Sequence, residues 1–323
     1  MKVTKMYQKF FGLREKPFNV NPDPRYLFLT PSTQEALASL TYGIQSRKGI
    51  ILLSGEVGTG KTTLLNKLLD WLRQKQGTTA FIFSTQLSVN ELLDYMMADF
   101  GISCESRAKN EILLRLNRWL VDRYRAGETP VLIVDEAQNL SAQVLEEIRL
   151  LTNLETSTEK LLQIVLSGQP ELEEKLRHPQ LRQLRQRITV RCRTSPLSLE
   201  ETQGYITERL RIAGANGEPI FTSEALGSVY QYACGIPRVI NVLCEHALIN
   251  AYADQQRPVP ARLVDEVARE FELDSPEPTA PPRGAVCPEN SRAAESRLEG
   301  LLVLLDGLRQ PTLMTAQPGE RKE

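Results

Sequence analysis

The chain has 323 residues, of which 41% are hydrophobic and 24% charged, and a net charge of −1 at pH 7. This composition is typical of a soluble protein that buries a core, and the length fits about two domains. The charge lacks the basic balance of general nucleic-acid binders, although it is compatible with a local basic patch. The N-terminus lacks a signal-peptide hydrophobic region, and no apolar run approaches the ~20 residues that cross a bilayer. We therefore expect a cytoplasmic protein without a membrane span.

The cysteines and histidines do not suggest a metal site. No two cysteines have C-x-x-C spacing, so the sequence predicts reduced thiols in a cytosolic protein. The residues concerned are Cys104, Cys192, Cys234, Cys244, Cys287, His178 and His246.

The first part of the chain, residues 1–31, is rich in aromatic residues and prolines without helical or strand periodicity. We expect an extended arm that packs along the following core. A capping box at Ser32 and Glu35 predicts that the first helix begins near Ser32.

A glycine-rich loop follows the apolar run at residues 50–53 and precedes a helical leucine pattern that continues to about residue 76. A G-x-x-x-x-G-K-T motif between a strand and a helix indicates a phosphate-binding loop rather than a chance turn. Backbone N–H groups approach phosphates where no Cβ intervenes, and the helix N-terminus favours negative charge. Lys61 is expected to reach the β- and γ-phosphates of ATP, and Thr62 to bind Mg²⁺. The predicted nucleotide-binding residues are Gly55, Glu56, Val57, Gly58, Thr59, Gly60, Lys61, Thr62 and Thr63.

Short apolar strands alternate with helical patterns as far as residue 192. This alternation is typical of a three-layer α/β fold with a mostly parallel sheet, here the fold of a P-loop NTPase. Further strands are predicted at residues 79–84, 131–134, 161–166 and 188–192, with helices at 89–100, 109–125 and 142–153 and a short one from Pro170.

Strand patterns are absent after residue 198, where a second capping box at Ser198 and Glu201 begins a series of helices. A proline-rich composition after residue 272 predicts a disordered tail, in which residues 297–309 could form a short helix. The predicted divisions are 1–49 (arm and first helix), 50–197 (P-loop core), 198–271 (small all-α domain) and 272–323 (tail).

Two adjacent carboxylates, Asp135 and Glu136, end the strand predicted at residues 131–134. The carboxyl ends of parallel strands meet at the ligand crevice of the sheet. Asp135 is therefore expected to reach Mg²⁺, and Glu136 to act as the general base for an attacking water. The alternative is that the pair caps the next helix, but the phosphate loop favours a shared ATPase site.

Seven segments together resemble a known family. They are M-Y-Q-K-F-F-G-L-R-E-K-P-F, N-P-D-P-R-Y-L-F-L-T, S-G-E-V-G-T-G-K-T-T, V-L-I-V-D-E-A-Q-N-L, L-S-G-Q-P-E-L, L-R-Q-R-I and G-I-P-R. Over about residues 6–270 the chain resembles AAA+ ATPases of the general secretion pathway protein A type, which have relatives in pilus and exopolysaccharide export. The resemblance implies that the all-α domain is an AAA+ lid.

The resemblance also implies three residue roles. Gln169 is similar to a sensor-1 residue near the γ-phosphate. Arg185 or Arg187 is similar to an arginine finger that reaches the nucleotide of a neighbouring subunit. Arg238 resembles a sensor-2 arginine of the lid, with a solvent-facing arginine as the alternative. Guanidinium groups suit such roles because they stabilise the charge of phosphoryl transfer.

Family members of the secretion type continue into a membrane span and a peptidoglycan-binding region, neither of which this sequence shows. We therefore expect the free-standing cytoplasmic branch, a homo-oligomer that remodels or gates a protein partner of an envelope export machinery. Six arginines within residues 177–193, without an acidic residue, fit an interface between protomers, a DNA-backbone patch or a solvated face. The rival functions are an ATP-dependent DNA-binding regulator, which is not favoured, and a nucleotide-dependent scaffold with little hydrolysis.

Overall fold

Five parallel strands form one sheet in the computed structural model, in the order β2-β3-β4-β1-β5. The three central strands are buried along their whole length, as their continuous aliphatic runs predict for a sheet covered on both faces. The strands are β1 Ile50–Ser54, β2 Thr79–Phe83, β3 Val131–Asp135, β4 Gln163–Gly168 and β5 Ile188–Arg193. The predicted α/β fold with a parallel sheet is therefore confirmed.

The structure describes residues 4–83, 86–103 and 108–273, with side chains from residue 7. The predicted tail, its short helix, Cys104 and Cys287 lie outside the described residues. The helices are α1 Thr4–Phe11, α2 Pro31–Gln45, α3 Lys61–Gln74, α4 Val89–Asp99, α5 Lys109–Arg125, α6 Ala142–Leu151, α7 Pro170–Arg177, α8 Arg182–Arg187, α9 Leu199–Ile212, α10 Ser223–Ala233, α11 Pro237–Ala253 and α12 Ala261–Glu270.

The start of α2 differs from the prediction in the residue that caps the helix. The Thr30 side chain accepts a hydrogen bond from the Thr33 N–H at 3.1 Å, and Pro31 occupies the first helical turn. Proline suits this position because its missing N–H would have no intrahelical acceptor there. The prediction that Ser32 caps the helix was therefore wrong. The predicted capping box at Ser198 and Glu201 is confirmed.

The N-terminal segment differs more strongly from the prediction. Residues Thr4–Phe11 are helical, and the aromatic side chains that follow from Tyr7 are buried among lid helices. The Tyr7 hydroxyl donates to the Glu245 carboxylate at 2.8 Å, and the Phe10 and Tyr252 rings meet edge to face. The expectation of an extended arm was wrong for Thr4–Phe11, which are helical and pack on α11 of the lid. The residues that follow also contact the P-loop core, where the Asn66 side-chain amide of α3 donates to the Pro22 carbonyl at 3.1 Å.

Two hydrophobic clusters occupy the described part of the chain. One lies between the sheet and α4–α8, and the other joins α9–α12 to the N-terminal segment. This distribution supports a boundary near residue 198, which we keep as a proposal, and it assigns the N-terminal aromatics to the second cluster. Among the residues described, no helix has the length and apolar character needed to cross a membrane.

Candidate active site

The glycine-rich loop joins the carboxyl end of β1 to the N-terminus of α3. Gly58 and Gly60 have φ values of +80° and +96°, in the left-handed region that side chains rarely adopt. Gly60 is the N-cap of α3 and has no side chain. The free N–H groups of the first turn of α3 therefore have no side-chain cap. These donors and the helix dipole form an anion-binding concavity, as the motif predicts.

Lys61 is 6% exposed and directed into this loop. Its Nζ donates to the carbonyl oxygens of Gly55 at 2.7 Å and Glu56 at 2.9 Å. Burial lowers the pKa of Lys61, while the negative charges of Glu136 and Asp135 act in the opposite direction. The ammonium is thus held among acceptors that phosphate oxygens can replace.

Asp135 lies at the end of β3 and is 1% exposed. Its Oδ2 accepts a hydrogen bond from the Thr62 hydroxyl at 3.0 Å. Its Oδ1 accepts from the Ser167 hydroxyl at 2.7 Å and from the Glu136 N–H at 3.0 Å. The hydroxyl and the carboxylate, both hard oxygen ligands suited to Mg²⁺, are therefore adjacent. Sequence reasoning missed Ser167, which is presented to Asp135 by the neighbouring strand β4.

Glu136 is the first residue after β3 and has a φ of +52°. Its Oε2 accepts hydrogen bonds from the Gln138 amide at 2.5 Å and from the Gln169 amide at 3.3 Å. It makes no side-chain cap of the 3-10 turn Ala137–Asn139, which disfavours a purely capping role. The structure thus brings Glu136 and Gln169 together, and it adds Gln138, which sequence reasoning did not single out.

The lid contacts the phosphate loop at the start of α11. The Arg238 N–H donates to the Gly58 carbonyl at 3.2 Å. A Cβ on Gly58 would lie 2.8 Å from the Arg238 Cβ and 3.0 Å from the Ile236 Cγ2, so the absence of a side chain permits this approach. Arg238 lines the same cavity as the loop and is exposed to solvent, so its role at the nucleotide stays a prediction.

A cavity of about 400 Å³ extends from the phosphate loop to the lid. Its walls come from the P-loop core, from lid helices α9 and α11, and from the N-terminal segment. Asn19, Tyr26 and Phe28 of that segment line the cavity, as do Glu136 and Arg238. The volume and the aromatic lining at one end fit a nucleotide.

The two candidate finger arginines have different environments on α8. Arg187 donates to the Thr152 hydroxyl at 3.4 Å and to the Asn153 side-chain oxygen at 3.2 Å. Arg185 is exposed, and its side chain makes no hydrogen bond or ion pair with any residue that the structure describes. Neither arginine lines the cavity of its own chain. Arg187 thus has side-chain partners within its own chain, whereas the Arg185 side chain has none among the described residues.

The remaining arginines of residues 177–193 do not form one uniform patch. Arg193 forms an ion pair with Glu173, with a shortest distance of 2.6 Å. Arg177, Arg182 and Arg191 are exposed. Glu173 therefore neutralises one end of the cluster, and the exposed members supply the basic surface.

The fold and the site define an AAA-type P-loop protein. Residues 44–176 match the family described as AAA domain. The crystal structure of CDC6P from Pyrobaculum aerophilum has a TM-score of 0.64 at 18% identity, covering 80% of this chain and 71% of that chain. The Drosophila ORC bound to DNA has a TM-score of 0.61 at 19% identity, covering 83% and 66% respectively.

A sequence relative is more specific. The general secretion pathway protein A of Aeromonas hydrophila is 47% identical over 249 residues, which are 77% of this chain and 45% of that protein. The chain is therefore a relative of general secretion pathway protein A that carries the AAA domain, as its sequence motifs predicted. It spans less than half the length of this relative.

Proposed function

We propose that this protein is a Mg²⁺-dependent ATPase that converts ATP and water to ADP and phosphate. The observation that carries the proposal is the Thr62–Asp135 hydrogen bond of 3.0 Å beside the Glu136–Gln169 pair. It joins the phosphate loop to the acidic end of β3, which supports a single site for the groups proposed to bind phosphate, metal and water.

Each residue has a role that follows from its position. Lys61 exchanges the carbonyl oxygens of its own loop for β- and γ-phosphate oxygens. Thr62 and Asp135 would hold Mg²⁺, which would neutralise charge on the phosphates. Glu136 accepts a proton from the attacking water, whose oxygen bonds to the γ-phosphorus while the bond to the bridging oxygen breaks. Gln169 orients Glu136 and the water.

We further propose that the site is completed in a homo-oligomer. Arg185 is exposed outside the cavity of its own chain, on a surface that a neighbouring protomer would contact, and Arg238 lines the cavity from the lid of the same chain. Hydrolysis would move the lid against the core through the Gly58–Arg238 contact and so remodel or gate a partner. The relationship to general secretion pathway protein A supports a cytoplasmic role in envelope secretion, pilus or exopolysaccharide export.

The Glu136→Gln variant tests the ATPase assignment. It retains the shape of the side chain but removes the base, so we expect turnover to fall at least a hundredfold while the ATP Kd changes less than threefold. Glu174→Gln, an exposed carboxamide substitution on α7, is the matched control and should keep wild-type turnover. Wild-type turnover in Glu136→Gln would refute the assigned base.

An ATP-dependent DNA-binding regulator is the second candidate, supported by the exposed Arg177, Arg182 and Arg191. It requires duplex binding that depends on ATP and weakens steeply between 50 and 200 mM salt, because phosphate contacts release counterions. Fluorescence anisotropy with a labelled duplex, with and without ATP, separates it from the export ATPase. If the protein binds DNA, the Kd for the duplex should depend less steeply on salt in the Arg182→Ala and Arg191→Ala double variant than in the wild-type protein.

A further inference from the structure

A buried arginine lies at the junction between the lid and the N-terminal segment. Arg209 of α9 is 6% exposed and stacks on the Tyr26 ring, with the guanidinium carbon 4.4 Å from the ring centroid. It donates to the backbone carbonyls of Pro17 at 2.6 Å and Asn19 at 3.2 Å. These contacts attach the segment that lines the cavity to the lid.

The same guanidinium sets the direction of a hydrogen-bond chain. Arg209 Nη1 lies 2.7 Å from the Tyr205 hydroxyl oxygen, which lies 2.9 Å from Asn241 Oδ1. A guanidinium only donates, so the hydroxyl accepts from Arg209 and has one proton to give. Burial raises the pKa of Tyr205, which keeps that proton in place at neutral pH. The hydroxyl therefore donates to Asn241, whose oxygen must face it.

This chain determines which end of the Asn241 amide is free. If the amide were reversed, its NH₂ would face Tyr205, and the buried hydroxyl proton would lose its acceptor. With the oxygen committed to Tyr205, the amide nitrogen makes no hydrogen bond to any residue of the described segments. Asn241 lines the cavity. The cavity therefore receives a hydrogen-bond donor from this position.

The location of Asn241 indicates what the donor would meet. It lies three residues after Arg238 on α11, so both occupy the same face of the helix, one turn apart. The Arg238 end touches the phosphate loop through Gly58. Tyr26 and Phe28 line the cavity and pack around Arg209 and Tyr205, the partners of Asn241. Aromatic rings beside this amide donor are suited to a flat heterocycle with ring-nitrogen acceptors.

We propose that Asn241 is a nucleobase-binding residue whose amide N–H donates to an unprotonated ring nitrogen of the purine, with Tyr205 and Arg209 as positioning residues that set the amide. The inference rests on the proposed ATP function and adds a base contact to that site. It assigns the lid a part in base selection in addition to its contact with the phosphate loop.

Binding to altered purines tests the proposal. Calorimetric Kd values are measured for wild-type protein with Mg²⁺ and ATP, 1-deaza-ATP, 3-deaza-ATP and 7-deaza-ATP. We expect one deaza analogue to bind about fivefold to tenfold more weakly, because it lacks the acceptor of one hydrogen bond. Asn241→Leu should weaken ATP binding by a similar factor and bind that analogue and ATP equally. Tripolyphosphate should bind both proteins alike.

Tyr205→Phe tests the positioning role without removing Asn241. It keeps the ring but frees the amide to rotate, so selectivity between ATP and the deaza analogue should fall towards one. Tyr230→Phe on α10, a tyrosine that does not line the cavity, should keep wild-type selectivity. A purely structural defect would weaken both nucleotides by the same factor and leave their ratio unchanged.

The outcomes separate this inference from the function on which it rests. If wild-type protein binds no nucleotide, the proposed ATPase fails and the base contact fails with it. If ATP binds but all three deaza analogues bind equally well, or the Asn241→Leu and Tyr205→Phe variants keep wild-type selectivity, only the base contact is overturned. If Asn241→Leu instead loses the wild-type preference for ATP over 2′-deoxy- or 3′-deoxy-ATP, the amide contacts the ribose. That result would also overturn the proposal.

Discussion

The N–H of Arg238 donates to the carbonyl of Gly58 at 3.2 Å, so the first turn of a lid helix rests directly on the phosphate loop. Any change in the loop conformation that accompanies nucleotide binding or release is therefore transmitted to the lid through this hydrogen bond. The contact depends on Gly58, because a Cβ there would lie 2.8 Å from the Arg238 Cβ.

Gly58→Ala is expected to destabilise the protein more than Gly60→Ala. Both positions have positive φ, so alanine would be strained at either one, but a Cβ on Gly60 would meet nothing within 4 Å. The additional cost at Gly58 is that of overpacking against Ile236 and Arg238, about 1–3 kcal/mol of unfolding free energy. Denaturant unfolding without nucleotide measures the difference. Equal destabilisation of the two variants would mean that the lid contact is absent in solution.

Gln138→Leu is expected to lower turnover about tenfold with little change in ATP affinity. Gln138 donates to Glu136 at 2.5 Å and accepts from the Gln169 N–H at 3.2 Å, but it does not line the cavity. Leucine keeps the approximate volume and removes both hydrogen bonds, so the base is no longer held against Gln169. Steady-state kinetics would show a change in kcat at nearly constant KM. A change confined to KM would contradict this role.

Arg185→Ala and Arg187→Ala are expected to affect different properties of the protein. Arg187 bonds to Thr152 and Asn153 in its own chain, so its loss should cost about 1 kcal/mol of stability. Arg185 is exposed, so its loss should leave Tm unchanged. If an oligomer completes the site, the specific activity of the wild-type protein rises with protein concentration, and Arg185→Ala should abolish that rise.

Mixing variants tests whether Arg185 acts between subunits. Arg185→Ala retains an intact Glu136, whereas Glu136→Gln retains an intact Arg185. If the arginine acts on a neighbour, the mixture regains activity that neither variant has alone. Full turnover by a strictly monomeric protein would refute the shared site.

Cys192 and Cys244 are expected to resist alkylation in the folded protein, whereas the exposed Cys234 should react. Burial raises the pKa of Cys192 to about 12, so only about one thiol in a thousand would be deprotonated at pH 9 even if reagent could reach it. Raising the pH from 7 to 9 should therefore leave Cys192 unmodified. Iodoacetamide labelling with peptide mass mapping checks this, and labelling in guanidinium is the control. Rapid native labelling of Cys192 would show that the α2–β5 contact opens.

The sequence by itself determined the sheet and the catalytic motifs, because these depend on neighbouring residues. Glycines at Gly58 and Gly60 permit positive φ, Lys61 and Thr62 begin the helix that follows, and the apolar run before Asp135 places that carboxylate at the end of a central strand. The parallel orientation of the strands follows from their alternation with helices, whereas their order in the sheet does not. Local chemistry of this kind can be recognised without knowing what the segment packs against.

The tertiary structure alone decided which distant residues meet. The N-terminal aromatics show no periodicity, and most of their partners lie on lid helices far along the chain, so the sequence did not predict that they pack against the lid. Ser167 reaches Asp135 only because β4 lies beside β3. The orientation of Asn241 depends on Tyr205 and Arg209, one turn apart on another helix. Hydrogen-bond direction across such contacts is set by geometry between elements, which spacing along the sequence does not encode.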